Sequence, residues 1–156
     1  MSDCCETIDG GQRRASCPVT RTSGTRVRLL TVKALLTDVS LRRFVSTTTY
    51  YFCPEPSCAV VYFSTQGELY ATSDLRTPVW QKEPPGQRLL CYCFGETEQS
   101  IASEITTTGA STVLQRVTEH VRAKRCACDI RNPRGECCLG DLKGAVARIQ
   151  ANRARD

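Results

Sequence analysis

The chain has 156 residues, enough for one ordinary domain or two small ones, with 40% hydrophobic residues and a formal net charge of +5. No apolar run approaches the roughly 18 residues of a membrane span. The N-terminus, Met1-Ser2-Asp3-Cys4-Cys5-Glu6, has neither a basic n-region nor an apolar h-region. Neither a membrane nor a secreted protein is expected, and the compartment reads as cytoplasmic.

The 11 cysteines are the informative residues. Their number is odd, and they cluster as CC, CxC, CxC and CC with three singles. A Cys-x-Cys pair holds its sulfurs at an awkward distance and angle for a disulfide but suits two thiolates on one metal centre. In a reducing compartment such clusters read as metal ligands. The positive charge lies mainly in arginines and is strongest after Lys143. No aromatic residues interleave with it, so a solvated surface is expected rather than a nucleic-acid site.

Residues 1–25 are polar and read as irregular chain carrying Cys4, Cys5 and Cys17. Arg26 to Val32 has a β-type composition, while Thr31 to Thr37 fits a short helical turn; so short a run leaves both open. Thr47 to Cys53 and Cys58 to Phe63 are β-rich runs flanking a turn with two prolines, and Gln66-Gly67 turns the chain into Glu68-Leu69-Tyr70. A small antiparallel sheet follows, with Cys53 and Cys58 at the mouth of its first hairpin.

Two cysteines at a hairpin mouth are half of a zinc-ribbon site. Cys17-Pro18-Val19 begins the other half, but Thr20 stands at the next position. Threonine is not a credible zinc ligand, so Cys17, Cys53 and Cys58 make three where a closed site takes four. Cys4 or Cys5 is the candidate fourth ligand; the same pair could instead be an exposed trap for soft metal ions. Asp74 to Lys82 reads as a connector and Glu83-Pro84-Pro85-Gly86 as a linker. The boundary falls there, between a β subdomain (1–83) and a helical subdomain (87–156).

In the second half, Cys91 and Cys93 precede a helix capped by Thr97, with Ile101 and Ile105 inward and Gly109 at its end. Ser111 starts a second helix with Val113, Leu114, Val117 and Val121 on one side. It ends in Arg122-Ala123-Lys124-Arg125, cations that suit the negative end of the helix dipole. Cys126 and Cys128 follow at once. Beyond the Asn132-Pro133-Arg134-Gly135 turn, Cys137-Cys138 open a third helix with Leu142, Val146 and Ile149 inward. Thiolates at a helix N-terminus meet free backbone N–H groups, which favour an anionic [2Fe–2S] centre. Only four of these six cysteines can ligate one such cluster. A four-thiolate zinc is the chemical rival.

Cys91-x-Cys93 followed by two helices and further cysteines resembles the [2Fe–2S] domain of bacterioferritin-associated ferredoxins. A second resemblance covers most of the chain. Cys17-Pro18, Tyr51-Phe52-Cys53-Pro54, Cys58 to Phe63, Asp74-Leu75-Arg76, Cys91-Tyr92-Cys93 and Asn132-Pro133-x-Gly135-x-Cys137-Cys138 together resemble the N-terminal domain of CopZ-type copper chaperones. That resemblance implies an α+β fold, a zinc-ribbon-like antiparallel β subdomain followed by a helical [2Fe–2S]-binding one. It implies cluster ligands Cys91, Cys93, Cys128 and Cys138, with Cys137 the alternate, and zinc ligands Cys17, Cys53 and Cys58. Two departures stand out. Thr20 replaces a family cysteine, and the Met-x-Cys-x-x-Cys copper loop of the full-length chaperones has no counterpart up to Asp156.

The function expected is a one-electron module in the handling of copper or another soft metal, reducing Cu(II) to Cu(I) for a separate chaperone or redox partner. The alternative is a redox- or metal-sensing module that binds metal without catalytic electron transfer. His120, the lone histidine, reads as a surface residue. No nucleophile–base pair or paired carboxylates suggest hydrolysis or group transfer, so an enzyme beyond a metal reductase is not expected.

Overall fold

The runs rich in Thr, Tyr, Val and Phe form the centre of a five-stranded antiparallel sheet in a computed structural model, which describes residues 12–156. Its strands are β1 (Arg14–Ser16), β2 (Ser23–Val27), β3 (Tyr50–Phe52), β4 (Val60–Ser64) and β5 (Leu69–Ala71), in that spatial order. β3 and β4 are buried at every position, because the sheet is covered on both faces. Tyr50, Phe52 and Tyr62 pack with Val32, Leu35 and Leu36 on one side. Tyr51 and Phe63 pack with Cys17, Cys53 and Cys58 on the other.

Residues 14–27, expected to be mostly irregular, instead form the β1–β2 hairpin. Its outer strand is largely solvent-facing, so no apolar alternation marked it. The two readings of 26–37 divide the segment between them: β2 ends at Val27 and helix α1 runs Leu29–Leu35. A four-residue helix α2 (Asp38–Leu41) follows, capped by the Thr37 hydroxyl. The connector contains two short 3-10 turns, Thr72–Asp74 and Trp80–Lys82.

The C-terminal half begins with a hairpin, β6 (Leu89–Cys91) and β7 (Glu96–Thr97), whose turn carries Tyr92 to Gly95. Helix α3 (Glu98–Thr108) is capped by Thr97 and stopped by Gly109, whose φ of 85° favours glycine. Helix α4 (Val113–Arg122), the short α5 (Cys128–Arg131) and α6 (Leu139–Ala154) follow. Leu90, Ile101, Ile105, Val113, Val117, Leu142 and Val146 make their common core, with Leu114, Val121 and Ile149 at its margin. The fold is α+β.

The halves are tied by specific bonds. The Thr31 hydroxyl of α1 donates to the Asp129 carbonyl of α5 at 2.6 Å, and the buried Tyr62 hydroxyl donates to the Pro133 carbonyl at 2.5 Å. The Tyr92 hydroxyl, between Cys91 and Cys93, donates to the Pro78 carbonyl at 2.8 Å and accepts from the Trp80 N–H at 3.1 Å.

Candidate metal centres

Cys17, Cys53 and Cys58 come together from the β1–β2 turn and the mouth of the β3–β4 hairpin. Their sulfurs all lie within 4.8 Å of one another, and Cys17 Sγ is 3.9 Å from Cys58 Sγ. A tetrahedral ion with Zn–S bonds of about 2.3 Å separates its sulfurs by roughly 3.8 Å, so the donor set fits zinc in size and chemistry. Tyr51, Val60 and Phe63 pack around it. Burial opposes ionisation of Cys17, but hydrogen bonds, those of the Thr20 and Val19 backbone N–H groups foremost, outweigh it and hold the thiol below its ordinary value. Burial pushes Cys53 up to about 11.

Thr20 sits at the corner of this set, its Oγ1 3.9 Å from Cys53 Sγ. Cys4 and Cys5, the candidate fourth ligands, lie outside the described residues. One contributor had no signal in the spacing of the cysteines. Lys82 acts electrostatically on all three thiols, and its Nζ donates to the Glu55 carbonyl at 2.7 Å. Burial lowers its ammonium below the ordinary value, while Cys53, Cys58 and Cys17 pull it back.

The second group draws on three elements. Cys91 ends β6 and Cys93 lies in the hairpin turn, Cys128 opens α5, and Cys138 caps α6. Cys93 Sγ is 3.7 Å from Cys128 Sγ and accepts the Ala127 backbone N–H at 3.1 Å. Cys138 hydrogen-bonds both Cys128 and Cys91, which completes a chain of thiols Cys93–Cys128–Cys138–Cys91. Its hydrogen bonds hold Cys128 at about 6 and Cys91 at about 7 against the pull of burial. Cys138, bonded to both, is pushed well above its ordinary value by the same bonds, and burial pushes Cys93 up to about 12.

The two groups differ in shape. Among the described residues, Cys17, Cys53 and Cys58 are the group of three or more ligand atoms that all fall within 4.8 Å of one another. The C-terminal thiols are strung out, which suits ligands divided between two metal ions better than one tetrahedral ion. An all-sulfur set is a donor set that soft metal ions take, and the backbone N–H on Cys93 Sγ stabilises negative charge there. Cys137 is exposed and Cys126 half-buried. His120 is half-buried and stacks on Phe94, the residue after Cys93, with ring centroids 4.4 Å apart.

The zf_CopZ family model, described as a zinc binding domain, matches residues 14–76, a span that contains Cys17, Cys53 and Cys58. The copper chaperone CopZ of Archaeoglobus fulgidus is 32% identical over 144 residues, covering 86% of this chain and 68% of that protein. The chain belongs to the CopZ family. The crystal structure of the N-terminal domain of that CopZ superposes with a TM-score of 0.70 at 30% identity, covering 83% of this chain and 96% of the domain. The likeness to CopZ therefore spans both cysteine groups. Among the described residues, no helix is long and apolar enough to cross a membrane.

Proposed function

We propose that the chain is a two-centre metal protein of copper handling. In this reading residues 1–83 hold zinc as a structural ion, and residues 87–156 hold a [2Fe–2S] cluster that moves one electron. The observation that carries it is the thiol chain Cys93–Cys128–Cys138–Cys91, gathered from three elements of a fold shared with a copper chaperone. Cys91, Cys93, Cys128 and Cys138 are the proposed cluster ligands; Cys17, Cys53 and Cys58 are the proposed zinc ligands.

Cys91, Cys93, Cys128 and Cys138 would hold the cluster, which would supply one reversible electron to reduce Cu(II) to Cu(I), with a reduced cytoplasmic redox partner as the source of that electron. The chain's own contribution is positioning. The Tyr92 bonds to Pro78 and Trp80 fix the loop between Cys91 and Cys93. The Ala127 N–H stabilises negative charge on Cys93 Sγ, and Phe94, the residue after Cys93, stacks on His120. Cu(I) would pass to a separate chaperone. The metal-binding half of the alternative reading draws support from the compact three-thiol group, which needs no electron transfer.

The ligand assignment is tested by serine substitution under anaerobic purification. Cys138→Ser is expected to lose most of its iron and sulfide, while Cys137→Ser retains them, because Cys138 is buried among the thiols and Cys137 faces solvent. Equal retention by both variants, or loss only in Cys137→Ser, would contradict the assignment.

A further inference from the structure

We propose that the three-thiol centre has an open fourth position at the Thr20 corner, and that an external alkylthiolate binds there. The inference rests on the zinc reading above and extends it from a closed structural site to one that exchanges a ligand.

Three observations converge on that corner. The Thr20 hydroxyl donates to Thr22 Oγ1 at 3.1 Å and lies 3.9 Å from Cys53 Sγ, so it lines the position without supplying a thiolate. An alcohol keeps its proton where a thiol gives one up, and protein zinc takes its ligands from Cys, His, Asp and Glu. A site with three protein donors keeps its fourth position for an exchangeable ligand.

The second observation is access. Cys17 and Cys53 are fully buried and Cys58 nearly so, with Tyr51, Val60 and Phe63 packed around them. Thr20, beside this set, is half-buried, and its sequence neighbour Val19 is 61% exposed, so the Thr20 corner is the side of the centre nearest solvent-facing chain. The third is charge. Three thiolates around a divalent ion leave one surplus negative charge and four leave two; Lys82, acting on all three cysteines, offsets one of them. A soft, anionic, single-atom donor fits the corner. When it binds, the thiol's proton passes to solvent and an oxygen ligand leaves, with no net oxidation.

The test uses the full chain loaded anaerobically with Co(II) at this centre and titrated with 2-mercaptoethanol and with glutathione. Wild type is expected to show a saturable rise in thiolate-to-cobalt charge transfer. Zinc-edge X-ray absorption of the zinc protein is expected to count three sulfurs before thiol and four after. Thr20→Cys is expected to give four from the start and no response. Binding of either thiol supports the proposal, and binding of glutathione extends it to peptide-borne thiols. Four sulfurs in wild type before thiol is added, lost in Cys4→Ser or Cys5→Ser, would overturn it, as would three sulfurs that never respond. A centre that takes up neither cobalt nor zinc would overturn the zinc reading itself. The absorption count on wild type stands even if Thr20→Cys fails to fold.

Discussion

Glu104 lies on α3 but caps α4. Its carboxylate accepts from the Thr112 N–H at 2.9 Å, the Thr112 hydroxyl at 2.7 Å, the Ser111 hydroxyl at 2.9 Å and Arg116 Nη1 at 3.1 Å. Thr112 makes no side-chain cap of its own, so the next-door helix provides one. These donors, the Thr112 backbone N–H foremost, hold the Glu104 carboxyl at about 2 against an ordinary 4.5. A depressed carboxyl contributes stability that is complete above its unfolded value and fades as pH falls towards the folded one. Glu104→Gln should therefore cost about 1–3 kcal/mol at pH 7. The gap to wild type should narrow as pH falls from 4.5 towards 2. Urea unfolding at pH 7 and pH 3 checks it, and a constant gap would contradict the capping account. The same scale shows what sequence can and cannot reveal. Cys17, Cys53 and Cys58 were legible as a group because ribbon spacing is local at each end. Lys82 and Glu104 were not, because each acts across a contact that only the folded chain creates.

At the scale of elements, the β3–β4 hairpin and α3 were legible because their signals are strong: dense aromatic and β-branched runs, and a Thr97 cap with a Gly109 stop. The β1–β2 hairpin was hidden by its polar outer strand, and α5 by being four residues long. Gly24 on β2 explains how this polar ribbon seats against the sheet. A Cβ there would lie 2.7 Å from the Phe63 ring and 2.8 Å from the Phe52 carbonyl, so only a bare backbone fits. Gly24→Ala should push β2 off the sheet at a cost of about 1–3 kcal/mol, measured by urea unfolding. It should also weaken zinc retention, since the turn after β1 carries Cys17. An unchanged midpoint would show that Phe63 yields freely.

At the scale of the whole molecule, the two cysteine groups share one body. The Tyr62 hydroxyl reaches from the sheet to Pro133, in the turn before Cys137 and Cys138. Tyr62→Phe leaves that carbonyl unpaired and should cost about 1–3 kcal/mol in a urea melt, with visible absorption unchanged if the bond serves only to join the halves. Stripping zinc with a chelator should lower the melting temperature by roughly 5–10 °C, because a structural ion binds the folded chain alone. The cluster absorption should survive that treatment. The choice of four cluster ligands came from the family resemblance; long-range convergence of Cys91, Cys93, Cys128 and Cys138 is a property of packed helices that spacing does not encode.

The central claim is that these four thiols hold a cluster that cycles one electron. The direct measurement is EPR of anaerobically purified protein before and after dithionite, with iron and sulfide analysis on the same sample. The account predicts a red-brown, EPR-silent protein with two irons and two sulfides per chain, which gains an S = ½ signal on reduction and loses it when Cu(II) is added. A colourless protein that holds zinc alone, even after anaerobic reconstitution with iron and sulfide, would contradict it and leave a metal-binding module without electron transfer.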